Sequence, residues 1–345
     1  MSRLHAIALI GLAACVLAFT VGQPALFEVP AGWPQPIYDL SKNKLTQEKV
    51  NLGRVLFYDP ILSRDSTISC ESCHSSYVAF THVDHALSHG IGDRIGTRNA
   101  PALMNLAWQR SFMWDGAINH LDMQALAPIT HPLEMDEKLP VVLEKLKAQT
   151  RYRFLFERAF GDTAITTEHL LRSMSAFMVT LVSSNSKYDR MKRGEVLFTE
   201  QEQQGYALFQ QHCNACHTEP LFTNGGFAKN GLPVDPSLRD LGRFVVTQQP
   251  ADSFLFKVPT LRNIAYSRPY MHDGRMNGLN EVLQHYASLH ERKPKLNNAL
   301  DEMPVLTSNE RVDLVAFLLT LSDSSFVMNR SFAYPKEIIS ALAKE

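Results

Sequence analysis

Two short stretches constrain this chain more than anything else in it. "STISCESCHSSYVAFT" sets Cys70 and Cys73 three apart with His74 directly behind, and "QQHCNACHTEPLFT" repeats the arrangement with Cys213, Cys216 and His217. The only other cysteine, Cys15, falls in the apolar leader. Paired cysteines at this spacing can form disulfides, bind zinc or act as dithiols. A four-cysteine zinc site leaves both trailing histidines unexplained, and a dithiol needs no histidine at all. Covalent haem accounts for all six residues. Each cysteine adds across a haem vinyl group, and the adjoining histidine becomes the proximal iron ligand. The bound haems would add carboxylates to a chain of formal net charge -1.

The repetition extends beyond these boxes. "PALMNLAWQRSFMWDG" (101–116) aligns without gaps to "PTLRNIAYSRPYMHDG" (259–274), with 8 of 16 positions identical. "AFT" at 79–81 matches "LFT" at 221–223, and the second copy holds about fifteen extra residues between its haem box and the longer motif. Helical periodicity dominates elsewhere. "ITTEHLLRSMSAFMVTLVS" puts Leu170, Leu171, Met174, Phe177, Met178 and Leu181 on one face; "SNERVDLVAFLLTL" opens with a Ser308 cap and presents Val312, Val315, Leu318 and Leu319. "TQEKVNLGRVLFY" and "TEQEQQGYALFQQHC" read as helices leading into each haem box. Strand-like alternation is scarce. The expected fold is all-α, two tandem cytochrome c-like domains each with one covalently bound haem c, spanning 26–192 and 193–345. A length of 345 residues suffices for a core in each.

Residues 1–25 hold Arg3 and then an apolar run from about Ala6 to Val21, short for a bilayer span and fitting a signal peptide or N-terminal anchor. Leu12-Ala13-Ala14-Cys15 is similar to a lipoprotein box, although the apolar run continues past Cys15. Export to the periplasm follows, with a possible membrane tether. "FEVPAGWPQPIYDLSKNKLT" reads as an extended segment wrapping the first domain. The near-neutral charge offers no basic field for nucleic acid.

Function should lie where the copies differ. Trp114 and His272 occupy equivalent positions; either ring could pack on a haem edge, and the indole could also carry an electron. The sixth iron position decides whether a haem passes electrons or admits a small molecule. Candidates are Glu134, Met135 and His131 in the first domain, and Tyr286, His285, Met271 and Met303 in the second. Spacing does not choose among them. His82, His85 and His89 in "THVDHALSHG" could bind a transition metal or be solvated loop residues.

Four segments, "NKLTQEKVNLGRVLFYDPILSRDSTISCESCH", "RNAPALMNLAWQRSFMWDG", "PITHPLEM" and "FKVPTLRNIAYSRPYMHDG", carry a specific resemblance. The chain resembles the bacterial di-haem cytochrome c peroxidases, including their MauG-type branch, over most of residues 40–320. The resemblance implies a catalytic distal carboxylate at Glu134, a tryptophan between the haems at Trp114, and interdomain calcium held by Asn99 with the carbonyls of Ser267 and Pro269. Ser267 departs from the family's usual threonine. Where the family's peroxidases place an axial methionine, this chain has Tyr286, as MauG-type proteins do. His89 matches the peroxidase histidine that caps the first haem until reduction frees it, a feature typical MauG proteins lack. The implied partners are hydrogen peroxide and either a donor cytochrome c or cupredoxin, or a protein substrate whose aromatic side chain is oxidised. A plain electron-transfer di-haem cytochrome is the remaining alternative.

Overall fold

The computed structural model describes residues 25–292, 296, 300 and 305–342. The expected signal or anchor and the candidate Met303 lie outside them. The all-α expectation holds: among the described residues the only sheet is a two-stranded one. The helices that matter are α1 (Gln47–Tyr58), α2 (Thr167–Val179), α3 (Lys187–Lys192), α4 (Glu200–His212), α5 (Leu279–Ala287) and α6 (Ser308–Leu319).

Each repeat is built on one close helix crossing. A Cβ on Gly53 of α1 would stand 1.9 Å from the carbonyl oxygen of Ser173 in α2, with Phe177 Cβ next at 2.9 Å. A Cβ on Gly205 of α4 would meet Asp313 O of α6 at 1.9 Å, with Phe317 Cβ again at 2.9 Å. Only glycine lets the backbones approach this far, so "LGRVLF" and "QGYALF" encode the same crossing. The longer repeated motif also keeps its backbone. Asn105 and Asn263 have φ of 55° and 57°, and Gly116 and Gly274 have 72° and 67°. The Asn105 N–H donates to Leu181 O (2.8 Å) and that of Asn263 to Leu321 O (3.0 Å), tying each motif to the end of its domain's long helix.

The face expected for α2 is buried throughout. Of that expected for α6, Leu318 is buried and Val315 packs against the core, but the other two members are not buried. Val312 and Leu319 are 52% and 47% exposed, and the buried stripe is Leu314, Phe317, Leu318 and Leu321. The crossing at Gly205 sets this rotation, because it brings the Asp313–Phe317 side of α6 against α4. The cap is also one residue earlier than expected. Thr307 accepts from the Glu310 N–H at 3.3 Å, and the Glu310 carboxylate accepts from the Thr307 N–H at 2.7 Å. Thr307→Ala should therefore lower stability by about 1 kcal/mol, while Ser308→Ala changes it by only a few tenths; chemical denaturation of the two variants checks this.

Packing crosses the expected boundary at 192/193. Tyr188 of α3 belongs to the core around Phe209, Phe222 and Phe317, whereas Phe326 and Val327 return to the core around Phe57, Phe80 and Phe177. Arg54 of α1 clasps this tail, donating to Ala333 O (2.7 Å), Arg330 O (2.9 Å) and Glu337 (2.7 Å). The lengthened loop of the second repeat crosses in the other direction. It forms a hairpin, β1 (Phe227–Ala228) against β2 (Phe256–Lys257), with Phe227 opposite Lys257. The Lys257 N–H donates to Trp114 O at 2.7 Å. Arg98 binds Asp240 of the loop through two hydrogen bonds (2.6 and 2.8 Å) and Asp115 through a third (2.6 Å). The extra residues thus clamp the two repeats together around Trp114.

Candidate active site

His74 Nδ1 lies 2.9 Å from Phe80 O, and His217 Nδ1 lies 3.1 Å from Pro259 O and 3.3 Å from Phe222 O. A carbonyl only accepts, so each Nδ1 carries the proton and each Nε2 keeps a lone pair, the tautomer an iron ligand needs. Burial pushes both imidazoles down to about 4, which keeps them neutral. Phe80 and Phe222 adopt φ of 58° and 53°, a left-handed turn shared by both "FT" segments. The sequence match of those segments was visible; their task of orienting the histidines was not.

Cys70, Cys73, Cys213 and Cys216 are unpaired. Burial pushes Cys70 and Cys213 up to about 12 and Cys73 up to about 11. Among the described residues no group of three or more His, Cys, Asp or Glu side chains could hold a metal ion. His82 stacks on His85 with ring centroids 5.0 Å apart, and His89 meets His85 at a tilt with centroids 4.1 Å apart. Thiols and orienting carbonyls together fit covalent haem at both boxes.

On the first repeat, Glu134 sits in the loop after "PITH". Its backbone carbonyl accepts from the Ile91 N–H at 2.9 Å, and a Cβ on Gly90 would stand 2.4 Å from that same oxygen. The His89-Gly90 strand therefore lies flat against the Glu134 backbone, and the Cys73 thiol donates to His89 O at 3.5 Å. Burial raises the Glu134 carboxyl above its usual range, and His131, 3.7 Å away, pulls it back. Glu134 in turn raises both Cys70 and Cys73, so its charge reaches the haem box. Met135 is a core residue and His131 is exposed.

A cavity of about 530 Å³ joins the repeats, lined by Trp114, Cys213, Cys216, His217 and Tyr286 among others. The Trp114 indole N–H donates to Asn99 O at 2.9 Å. Asn99, Ser267 and Pro269 share this lining. So does His272, the counterpart of Trp114, whose ring stacks on Phe256 at 3.6 Å with its Nδ1 buried and unpaired. The described axial candidates differ in their hydrogen bonding. His285 donates from Nε2 to Asn230 O (2.8 Å), leaving Nδ1 to accept from Arg292 (3.2 Å), so both nitrogens are engaged. Met271 Sδ accepts from Asn230 at 3.4 Å. Tyr286 Oη has no hydrogen-bond partner among the described residues, and burial together with Cys213 and Cys216 raises its phenol well above the usual range.

The di-haem cytochrome c peroxidase family model matches residues 47–197, and a cytochrome c model matches 202–322. The methylamine utilization protein MauG of Methylorubrum extorquens is 37% identical over 303 residues, covering 86% of this chain and 83% of that protein. This chain belongs to the di-haem cytochrome c peroxidase family. The cytochrome c551 peroxidase of Nitrosomonas europaea is 31% identical, with 80% of each chain covered. A solved MauG-like protein associated with microbial copper homeostasis superposes with a TM-score of 0.81 at 31% identity, over 90% of this chain and 99% of that one. The di-haem peroxidase described here is accordingly an oxidoreductase with two covalently bound haem c groups, one per repeat. Hydrogen peroxide and a protein redox partner go with that membership.

Proposed function

We propose that this di-haem peroxidase is of the MauG type, reacting with hydrogen peroxide at the first haem and oxidising an aromatic side chain of a partner protein through the second. The observation that carries this reading is Tyr286, a half-buried side chain whose phenol has no hydrogen-bond partner among the described residues, in the cavity of His217, Cys213 and Cys216. A phenolate ligand favours oxidised iron and disfavours collecting electrons from small cytochromes.

Cys70, Cys73 and His74 would hold the first haem, which when bound would supply the iron chemistry for peroxide cleavage. Glu134 takes the proton from the near oxygen of peroxide and delivers it to the departing one. A carboxyl raised by burial suits this exchange, since a proton carrier works best with a pKa near the operating pH. Trp114 passes electrons from the second repeat to the first, its indole fixed by Asn99 and its backbone by Lys257. Asn99, Ser267 and Pro269 hold calcium at the junction, and the chain works in the periplasm.

The ordinary peroxidase reading is favoured by one feature, His89 in its "HG" context beside Cys73. There His89 caps the first haem at rest, and a cytochrome c or cupredoxin supplies the electrons that turn peroxide into water. Mixing the resting ferric enzyme with one equivalent of peroxide separates the readings. A MauG-type enzyme reacts at once, holds the oxidised state for minutes and turns over slowly with ferrocytochromes. Inertness until one-electron reduction, followed by fast ferrocytochrome oxidation, would overturn the proposal.

A further inference from the structure

Lys257 stands on β2, just before the gap-free repeated motif and opposite Asn99 of the first copy, and it lines the cavity between the repeats. Its ammonium donates to the side-chain oxygen of Gln109 and lies 5.7 Å from the centre of the Phe112 ring. It forms no ion pair with any described residue, and burial alone pushes it down to about 7. An enclosed ammonium whose partners are an amide and a ring is costly unless an anion joins it.

The surrounding cavity sharpens the point. Its described lining includes Lys257 and Arg110 but no aspartate or glutamate. An apolar chamber with uncompensated positive charge is complementary to an apolar ligand bearing carboxylates. Haem has that character, and Cys213 and Cys216 attach one from the same lining. Arg110 is exposed and therefore solvated, which leaves Lys257 as the enclosed cation.

We propose that Lys257 is the cationic partner of a propionate of the haem attached at Cys213 and Cys216, holding that carboxylate beside Trp114. The same residue binds the Trp114 carbonyl through its backbone N–H. One position thus fixes both the edge of the second haem and the segment carrying the indole. Lys257 is a positioning residue that also tunes the haem, because a nearby cation opposes the extra positive charge of the oxidised iron.

The inference rests on the second haem and on the position of Trp114, not on which partner supplies electrons. Its test therefore uses no peroxide. Spectroelectrochemical titration of the holoenzyme at neutral pH, where propionates are ionised and a paired ammonium keeps its charge, should show Lys257→Gln shifting the second haem toward its oxidised form. A unit charge acting across ~10 Å at an effective dielectric constant of ~20 gives about a tenfold change in the reduction equilibrium, which is ~59 mV for a one-electron couple. Lys257→Arg should restore most of that shift, and the first haem should not move. No shift in Lys257→Gln, or equal shifts in both variants, would overturn the assignment. If Lys257→Gln fails to mature with two haems, resonance Raman of the unaltered enzyme decides. A propionate bending mode of the second haem that moves in D2O supports the contact, and one that stays put overturns it.

Discussion

Glu134→Gln should leave both haems attached and slow the reaction with peroxide by roughly 10²-fold or more, the usual scale for losing a positioned acid–base group. Glutamine keeps the size and the hydrogen-bonding edge of the carboxylate but cannot take up and return a proton. The loop itself should survive, because it is held by backbone contacts to Ile91 and Gly90 that the substitution leaves alone. A pH profile adds an independent signature. The group must be ionised to accept the peroxide proton, so the rate should fall as pH drops through its pKa. Burial raises that pKa above the ordinary 4.5, so the fall should begin at higher pH than for a free carboxylate. Glutamine at this position should flatten the acid limb. Stopped-flow mixing with peroxide across the pH range reads both effects. A variant that reacts at the wild-type rate would make Glu134 a structural residue, with His131 the next group to test.

How much of this could be read from the chain depended on how local each interaction is. The haem boxes were legible because Cys, Cys and His lie within five residues and nothing else explains the triplet. The duplication was legible for the same reason, since its motif runs gap-free. Helix α2 showed its face because nearly all of it is buried. Helix α6 misled because apolar residues occur on two sides, and only the approach of α4 at Gly205 selects the side bearing Leu314 and Phe317. The return of the chain's tail to the first core was hidden for a similar reason. Arg54 draws the chain's tail back across some 280 residues of sequence to the first core, and no local pattern announces that.

The candidate site shows the same division. His285 and Met271 were as plausible as Tyr286 by spacing. Asn230, in the lengthened loop, engages both, its carbonyl accepting from His285 Nε2 and its amide donating to Met271 Sδ. That loop looked like a plain insertion in the sequence. In the folded chain it engages the competing candidates, covers Trp114 and delivers Lys257. None of these contacts has a local signature, because each pairs residues that share no motif.

Tyr286→Met decides between the two enzymatic readings. If Tyr286 ligates the second iron, the substitution exchanges a phenolate for a neutral thioether, which stabilises the reduced iron better. Axial ligands set haem potentials over a range of about 0.8 V. The second haem's potential should therefore rise by more than a tenfold change in its reduction equilibrium, or ~59 mV for one electron. The peroxide-generated state should become short-lived, and ferrocytochromes should become competent donors. The position permits the swap sterically, since methionine is slimmer and more flexible than tyrosine and fits irregular cavities. Removing the phenol also orphans no hydrogen-bond partner among the described residues. Redox titration alongside low-temperature electron paramagnetic resonance separates ligation from packing. A ligand swap changes the g-values of the second haem together with its potential. Should both stay unchanged, Tyr286 is a packing residue and the MauG-type reading loses the observation that carries it; His285 and Met271 would first have to give up Asn230 to replace it, which points next to Met303.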